Sequence, residues 1–160
     1  MTEFPERVYT TEEVKIAKEL VDQGYKHNPT IEGSAQFKEK INQVLGLIKT
    51  AGYFDFFRSY IRRIMEIDGL TQLRETEAAI WANKFAVENI VDAASLFVQK
   101  AYSMKEYLEG ELYYGGSAEK RSVAKRIEFL NMLSEKSDDK NVKKECERLL
   151  QMWKESSLAF

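Results

Sequence analysis

Residues 71–108 read TQLRETEAAIWANKFAVENIVDAASLFVQKAYSMKEYL, and the fold turns on how this stretch is taken. It contains no Pro and no Gly. Alanines alternate with Ile80, Trp81, Phe85, Val87, Ile90, Val91, Leu96, Phe97 and Val98, and from Ala78 to Ala101 apolar residues cover most of a helical wheel. A helix that is apolar nearly all round is a buried one. The pattern therefore predicts a single central helix over 71–108, about 55 Å long at ~1.5 Å per residue. Its expected core is Ile80, Phe85, Val87, Ile90, Val91, Leu96 and Phe97, and Phe85→Ala is expected to cost about 3–5 kcal/mol.

The flanking sequence fits the same picture. Pro5 and Pro29 are the only prolines, so the chain from 30 to 160 is open to long helices. Thr10-x-x-Glu13 is a capping box that starts a first helix, with Val14, Ala17, Leu20 and Val21 inward and Gly24 closing it. Tyr25 to Gly33 reads as a loop. Ser34 opens a second helix carrying Phe37, Ile41, Val44, Leu45 and Ile48, which stops at Gly52. A third helix is expected from Tyr53 to Ile67, ended by Asp68-Gly69. Beyond Gly115-Gly116, Ser117 caps a fifth helix and Asp138-Asp139 a sixth, with Ser156 to Phe160 fraying. No sustained period-2 alternation stands out. The expectation is an all-α bundle of about six helices around the 71–108 helix. It forms one domain over 1–160, with an N-terminal arm at 1–9 and a C-terminal αα-hairpin at 117–155 that could be semi-independent.

Composition narrows the function. Lys+Arg number 24 against 26 Asp+Glu, so the net charge of −2 gives no global attraction to nucleic acid or acidic lipid. One Cys and one His exclude a disulfide framework, a zinc finger and a diiron bundle. The start lacks the order of a secretory signal and no apolar run would span a bilayer, which predicts a cytoplasmic setting with no membrane contact. Phosphate-cradling glycine loops are missing. His27 reads as a surface residue beside Asn28-Pro29, and Cys146 as a small buried hydrophobe. No catalytic residue, cofactor or metal site is assigned.

Three constellations carry what chemistry there is. On the presumed long helix, Glu77, Lys84, Glu88, Asp92, Ser95 and Gln99 fall within an arc of about 80°. Such a row could face a cleft and hold a cation, with Glu88 and Asp92 serving a magnesium-dependent hydrolase, or it could be a solvated seam. Glu106-x-x-Glu109 and Glu135-x-x-Asp138 resemble the carboxylate spacing of all-α nucleotide pyrophosphohydrolases of the MazG type. That resemblance implies magnesium held by both pairs, although the second pair reads as an inter-helix turn.

Arg58, Arg62, Arg63 and Arg74 lie among aromatics, a mixture suited to single-stranded nucleic acid. From Ser117 onward, 10 basic and 8 acidic residues are too evenly balanced to add to this. Ile48-x-x-x-Gly52-Tyr53 followed by Trp81-x-x-Lys84-Phe85-Ala86 resembles the small helical subunits of RNA-guided type III CRISPR complexes. The resemblance ends at Val87; it implies a helix–Gly–helix unit, a Trp-bearing helix and contact with nucleic-acid backbone.

The sequence thus favours a non-catalytic helical interaction protein, acting as a subunit or adaptor and self-associating or holding a protein partner. A small subunit of an RNA-containing complex is the alternative, and the magnesium-dependent hydrolase comes third. Phe54, Arg58 and Arg62 share the outer side of the third helix and are the expected contact residues, since aromatics and Arg dominate binding hot spots.

Overall fold

The computed structural model describes residues 3–156, so most of the fraying expected at the C-terminus lies outside the described residues. Three capped helix starts form where the sequence places them, whereas the start of α4 at Asn89, whose side chain accepts from the Asp92 N–H, is not foreseen. Helix α1 (Thr11–Asp22) has the Thr10/Glu13 capping box in both directions. In α2 (Ala35–Thr50) the Ser34 side chain accepts from the Phe37 N–H. After α3 (Phe54–Tyr60) and α4 (Ile90–Leu108) comes α5 (Gly116–Lys136), which begins one residue ahead of the expected Ser117 cap. Asp139 caps α6 (Lys140–Lys154) by accepting from the Asn141 and Val142 N–H groups.

The all-α expectation is wrong in three stretches. The chain is mixed α/β: these six helices accompany a four-stranded sheet of β1 (Thr30–Glu32), β2 (Arg63–Ile67), β3 (Gln72–Arg74) and β4 (Ala79–Asn83), in the order β1-β2-β4-β3. The expected third helix ends at Tyr60, and its second half is β2. The expected 71–108 helix is three elements: β3, β4 and the 19-residue α4. A single 3-10 turn at Glu75–Glu77 and Ala78 at φ 52 separate the two strands, and a left-handed residue cannot lie within an α-helix. The loop of Tyr25 to Gly33 contributes β1.

Strands β1, β2 and β4 are parallel, and β3 runs antiparallel to β4. Their register gives clean rows. Ile31, Ile64, Ile80 and Leu73 align across the sheet and face the helices. The neighbouring rows, Thr30–Arg63–Ala79–Arg74 and Glu32–Met65–Trp81–Gln72, point the other way because side chains alternate along a strand. Asn83 fixes the β2–β3 turn, donating to the Asp68 and Gly69 carbonyls at 3.0 and 2.9 Å.

Helix α4 is the centre of the core. Phe97 stacks on Phe57 of α3, with ring centroids 6.3 Å apart, and joins Ile41, Ile64, Ile80, Phe129 and Leu133 in one cluster. Of the expected core residues, Ile80, Val87, Val91 and Phe97 are buried, and Ile90 and Leu96 are half-buried. Phe85 is 66% exposed, in the turn between β4 and α4, so no cavity would follow its truncation. The implied Trp-bearing helix is not formed either, since Trp81 lies on β4.

Candidate functional site

The helices pack on one face of the sheet, where Ile64, Ile80 and Ala82 are fully buried. The opposite face presents Arg63, Met65, Ile67, Gln72, Arg74 and Trp81, every one of them partly exposed. Ala79 lies between Arg63 and Arg74 in the cross-strand row. The Arg74 guanidinium sits 4.2 Å from the centroid of the Trp81 ring, a close cation–π contact. Arg63 is held by Glu32, at 3.1 Å, and by Glu77. The Trp81 indole Nε1 is buried with no hydrogen-bond partner.

At the amino ends of the parallel strands this face runs into a cavity of about 660 Å³, lined by Glu6, Arg7, Thr30, Arg62, Arg63, Arg74, Thr76 and Glu77. Four guanidinium groups there meet two carboxylates, in a chain whose net charge is −2. Arg62 spends its donors on the carbonyls of Pro5, Glu6 and Glu77, at 2.8, 2.7 and 3.0 Å. These bonds tie the N-terminal arm to the sheet and use no carboxylate. Burial, followed by the neighbouring Arg63, lowers the Arg62 pKa. Within the cavity, backbone acceptors thus hold Arg62, whereas Arg63 is paired with the carboxylates of Glu32 and Glu77.

A second cleft, about 600 Å³, lies at the carboxyl ends of the parallel strands and is lined by Ser34, Glu39, Lys40, Glu66, Lys84, Phe85 and Glu88 among others. Open α/β sheets commonly bind ligands at this end. Glu66 Oε1 accepts from the Ser34 N–H at 2.8 Å. A Cβ on Gly33 would lie 2.8 Å from Glu66 and 2.9 Å from the Phe37 ring, so this close approach requires glycine. With carboxylates and lysines interleaved, the cleft has no single charge preference.

The polar row expected on one helix is divided by the fold. Lys84 and Glu88 reach the carboxyl-end cleft, whereas Glu77 pairs with Arg63 at the other end of the sheet. Asp92, in the first turn of α4, accepts from Arg126 Nη2 at 2.6 Å. Ser95 Oγ and Gln99 Oε1 accept from the same guanidinium, at 2.8 and 3.1 Å. Burial lowers the Arg126 pKa and Asp92 opposes that shift. Arg126 was absent from the expected sites because its acceptors are distant in sequence. Of the second carboxylate pattern, Glu106 is 1% exposed and bound by Arg121 Nε at 2.8 Å, while Glu109 pairs with Lys105 at 3.0 Å. Among the described residues, no group of three or more His, Cys, Asp or Glu side chains could hold a metal ion.

Phe54, Arg58 and Arg62 do not form one free face. Phe54 is half-buried, with Lys49 and Arg58 4.5 and 5.4 Å from its ring centroid. Arg58 donates to the His27 carbonyl and to Asn28 Oδ1, at 2.8 and 3.1 Å. His27, expected at the surface, is 3% exposed, packed edge-on against Phe4 and Tyr25. Cys146 is buried as expected, and burial pushes its thiol up to about 11.

Burial, with Arg62 and Arg58 adding repulsion, lowers the His27 pKa to about 4. Unfolded histidine titrates near 6.5, so below that pH the unfolded chain binds the extra proton and stability falls towards pH 4. Between pH 7 and about pH 4.5, the wild type is expected to lose about 2 kcal/mol more stability in urea than His27→Gln. Equal losses would show that His27 titrates normally in the folded protein.

A continuous 71–108 helix carries Trp81 on its surface and leaves no sheet face to be seen, and Arg63 to Ile67 show no alternation that would mark a strand. No helix among the described residues is long and apolar enough to cross a membrane. No protein-family model matches the chain, and neither a curated protein nor a solved structure matches it significantly.

Proposed function

We propose that the protein is a non-catalytic binding protein, working as a subunit or adaptor in a larger assembly through the uncovered face of its sheet. The supporting observation is that Trp81, Met65, Ile67, Arg63 and Arg74 project from a face on which the helices do not pack. Trp, Met and Arg are enriched at interface cores.

The test is a hydrogen-exchange footprint of the full chain, taken in isolation and in the assembly recovered from its own cells. Slowed exchange confined to β2, β3 and β4 is expected in the assembly. Unchanged exchange on these strands, with protection elsewhere, would sink the proposal.

A further inference from the structure

We infer that the uncovered sheet face and its arginine cavity bind single-stranded nucleic acid, an inference that rests on that face being the binding surface. The cavity supplies the charge. Arg7, Arg62, Arg63 and Arg74 line it with Glu6 and Glu77, and the Thr30 and Thr76 side chains add hydroxyls. Arg63 is already paired with Glu32 and Glu77, whereas the Arg62 donors go to carbonyls, so Arg62 keeps its charge without a carboxylate hydrogen bond. A phosphate diester answers both features: it neutralises like charges held at close quarters and accepts from guanidinium and hydroxyl donors.

The adjoining face supplies the stacking. Arg74 lies on the Trp81 ring at 4.2 Å, and the outer side of a planar guanidinium is itself a platform for a base. Arg74 also belongs to the cavity wall, so one residue joins the stacking surface to the phosphate site. Met65 and Gln72 flank Trp81 in the same cross-strand row, placing an apolar contact on one side of the ring and an amide on the other. Stacking is tolerant of base identity, so little sequence preference follows. A mononucleotide could fill the cavity alone, but it would not use the row beyond it. An acidic peptide would satisfy the arginines and leave the Arg74–Trp81 platform idle.

The experiment is titration of the full-length chain, as a Trp153→Phe variant so that Trp81 is the only indole, with a short labelled oligouridylate. Binding is expected both as a rise in anisotropy and as quenching of Trp81 fluorescence, and to weaken at least tenfold between about 50 and 200 mM salt. Arg74→Gln and, separately, Arg7→Glu on the exposed arm are expected to weaken it at least tenfold, with circular dichroism and melting temperature unchanged. The Arg7 variant keeps the test decisive if the Arg74 variant fails to fold. Lack of binding at low salt, equal affinity for uridine monophosphate, or equal affinity for oligoglutamate would each overturn the inference. If the exchange footprint falls on β2–β4 while oligouridylate fails to bind, the nucleic-acid partner is wrong and the binding face stands. A footprint elsewhere rejects both.

Discussion

Replacing Phe97 with alanine is expected to destabilise the protein by about 3–5 kcal/mol, a large part of the roughly 5–15 kcal/mol that holds a typical domain together. Phe97 is fully buried, and its ring lies nearly parallel to Phe57, at an interplanar angle of 9°. Its neighbours on α4 include Ala93, Ala94 and Ala101, which have no side-chain reach with which to close a cavity. The same substitution at Phe85 is expected to cost less than about 1 kcal/mol, because that ring is already 66% exposed. Urea unfolding of the two variants separates the observed fold from a continuous 71–108 helix, in which both rings would be core. Equal losses would mean that the β4–α4 boundary is wrong.

That boundary also shows what was legible in the sequence. Helices α1, α2 and α6 begin at Thr10, Ser34 and Asp139, where a side-chain oxygen satisfies backbone N–H groups. Such caps are local chemistry and need no knowledge of the fold. Strands β2 and β4 carry no comparable signal. Ile61 and Ile64 fit a spacing of three as well as they fit a strand, and Ala78, Ala79 and Ala82 favour a helix by intrinsic propensity. Propensity is a weak prior that tertiary pairing overrides. Here Ala79 pairs with Arg63 and Ile80 with Ile64, partners on the far side of the intervening β3 that a helical reading of the local sequence does not bring together. Asp68-Gly69 is expected to end the third helix, but that helix ends at Tyr60 and the element before Asp68 is β2.

The candidate site was legible in composition and illegible in geometry. Arg62, Arg63 and Arg74 stood out as a basic cluster among aromatics, and the fold brings them to one cavity with Arg7. Trp81 was assigned to a helix, so its pairing with Arg74 had no place in that reading. Arg58 and Arg62 resembled contact residues because their donors appeared free. Both are engaged by backbone carbonyls of segments far away in the chain.

Asp92 illustrates the same limit with a second large effect. From sequence it belongs to a polar row that could face a cleft or form a solvated seam; in the fold it is the counter-charge of Arg126. Their side chains are 40% and 10% exposed, respectively, so the two ends of the pair are unequally solvated. Asp92→Ala leaves the nearly buried guanidinium with Ser95 and Gln99 as neutral acceptors and Trp153 at 5.0 Å. An uncompensated charge of this kind costs about 3 kcal/mol. Removing a carboxylate from the first turn of α4 adds about 0.5 kcal/mol. Arg126→Met removes the opposite partner, and Asp92 can then regain water, so the expected loss is smaller, about 1–2 kcal/mol. The double variant is expected to be more stable than Asp92→Ala alone, since no buried charge remains to be neutralised. Urea unfolding at neutral pH tests the order. A larger loss for Arg126→Met than for Asp92→Ala would show that Asp92 is the group needing its partner, and would return it to the open carboxylate row that its sequence position suggested.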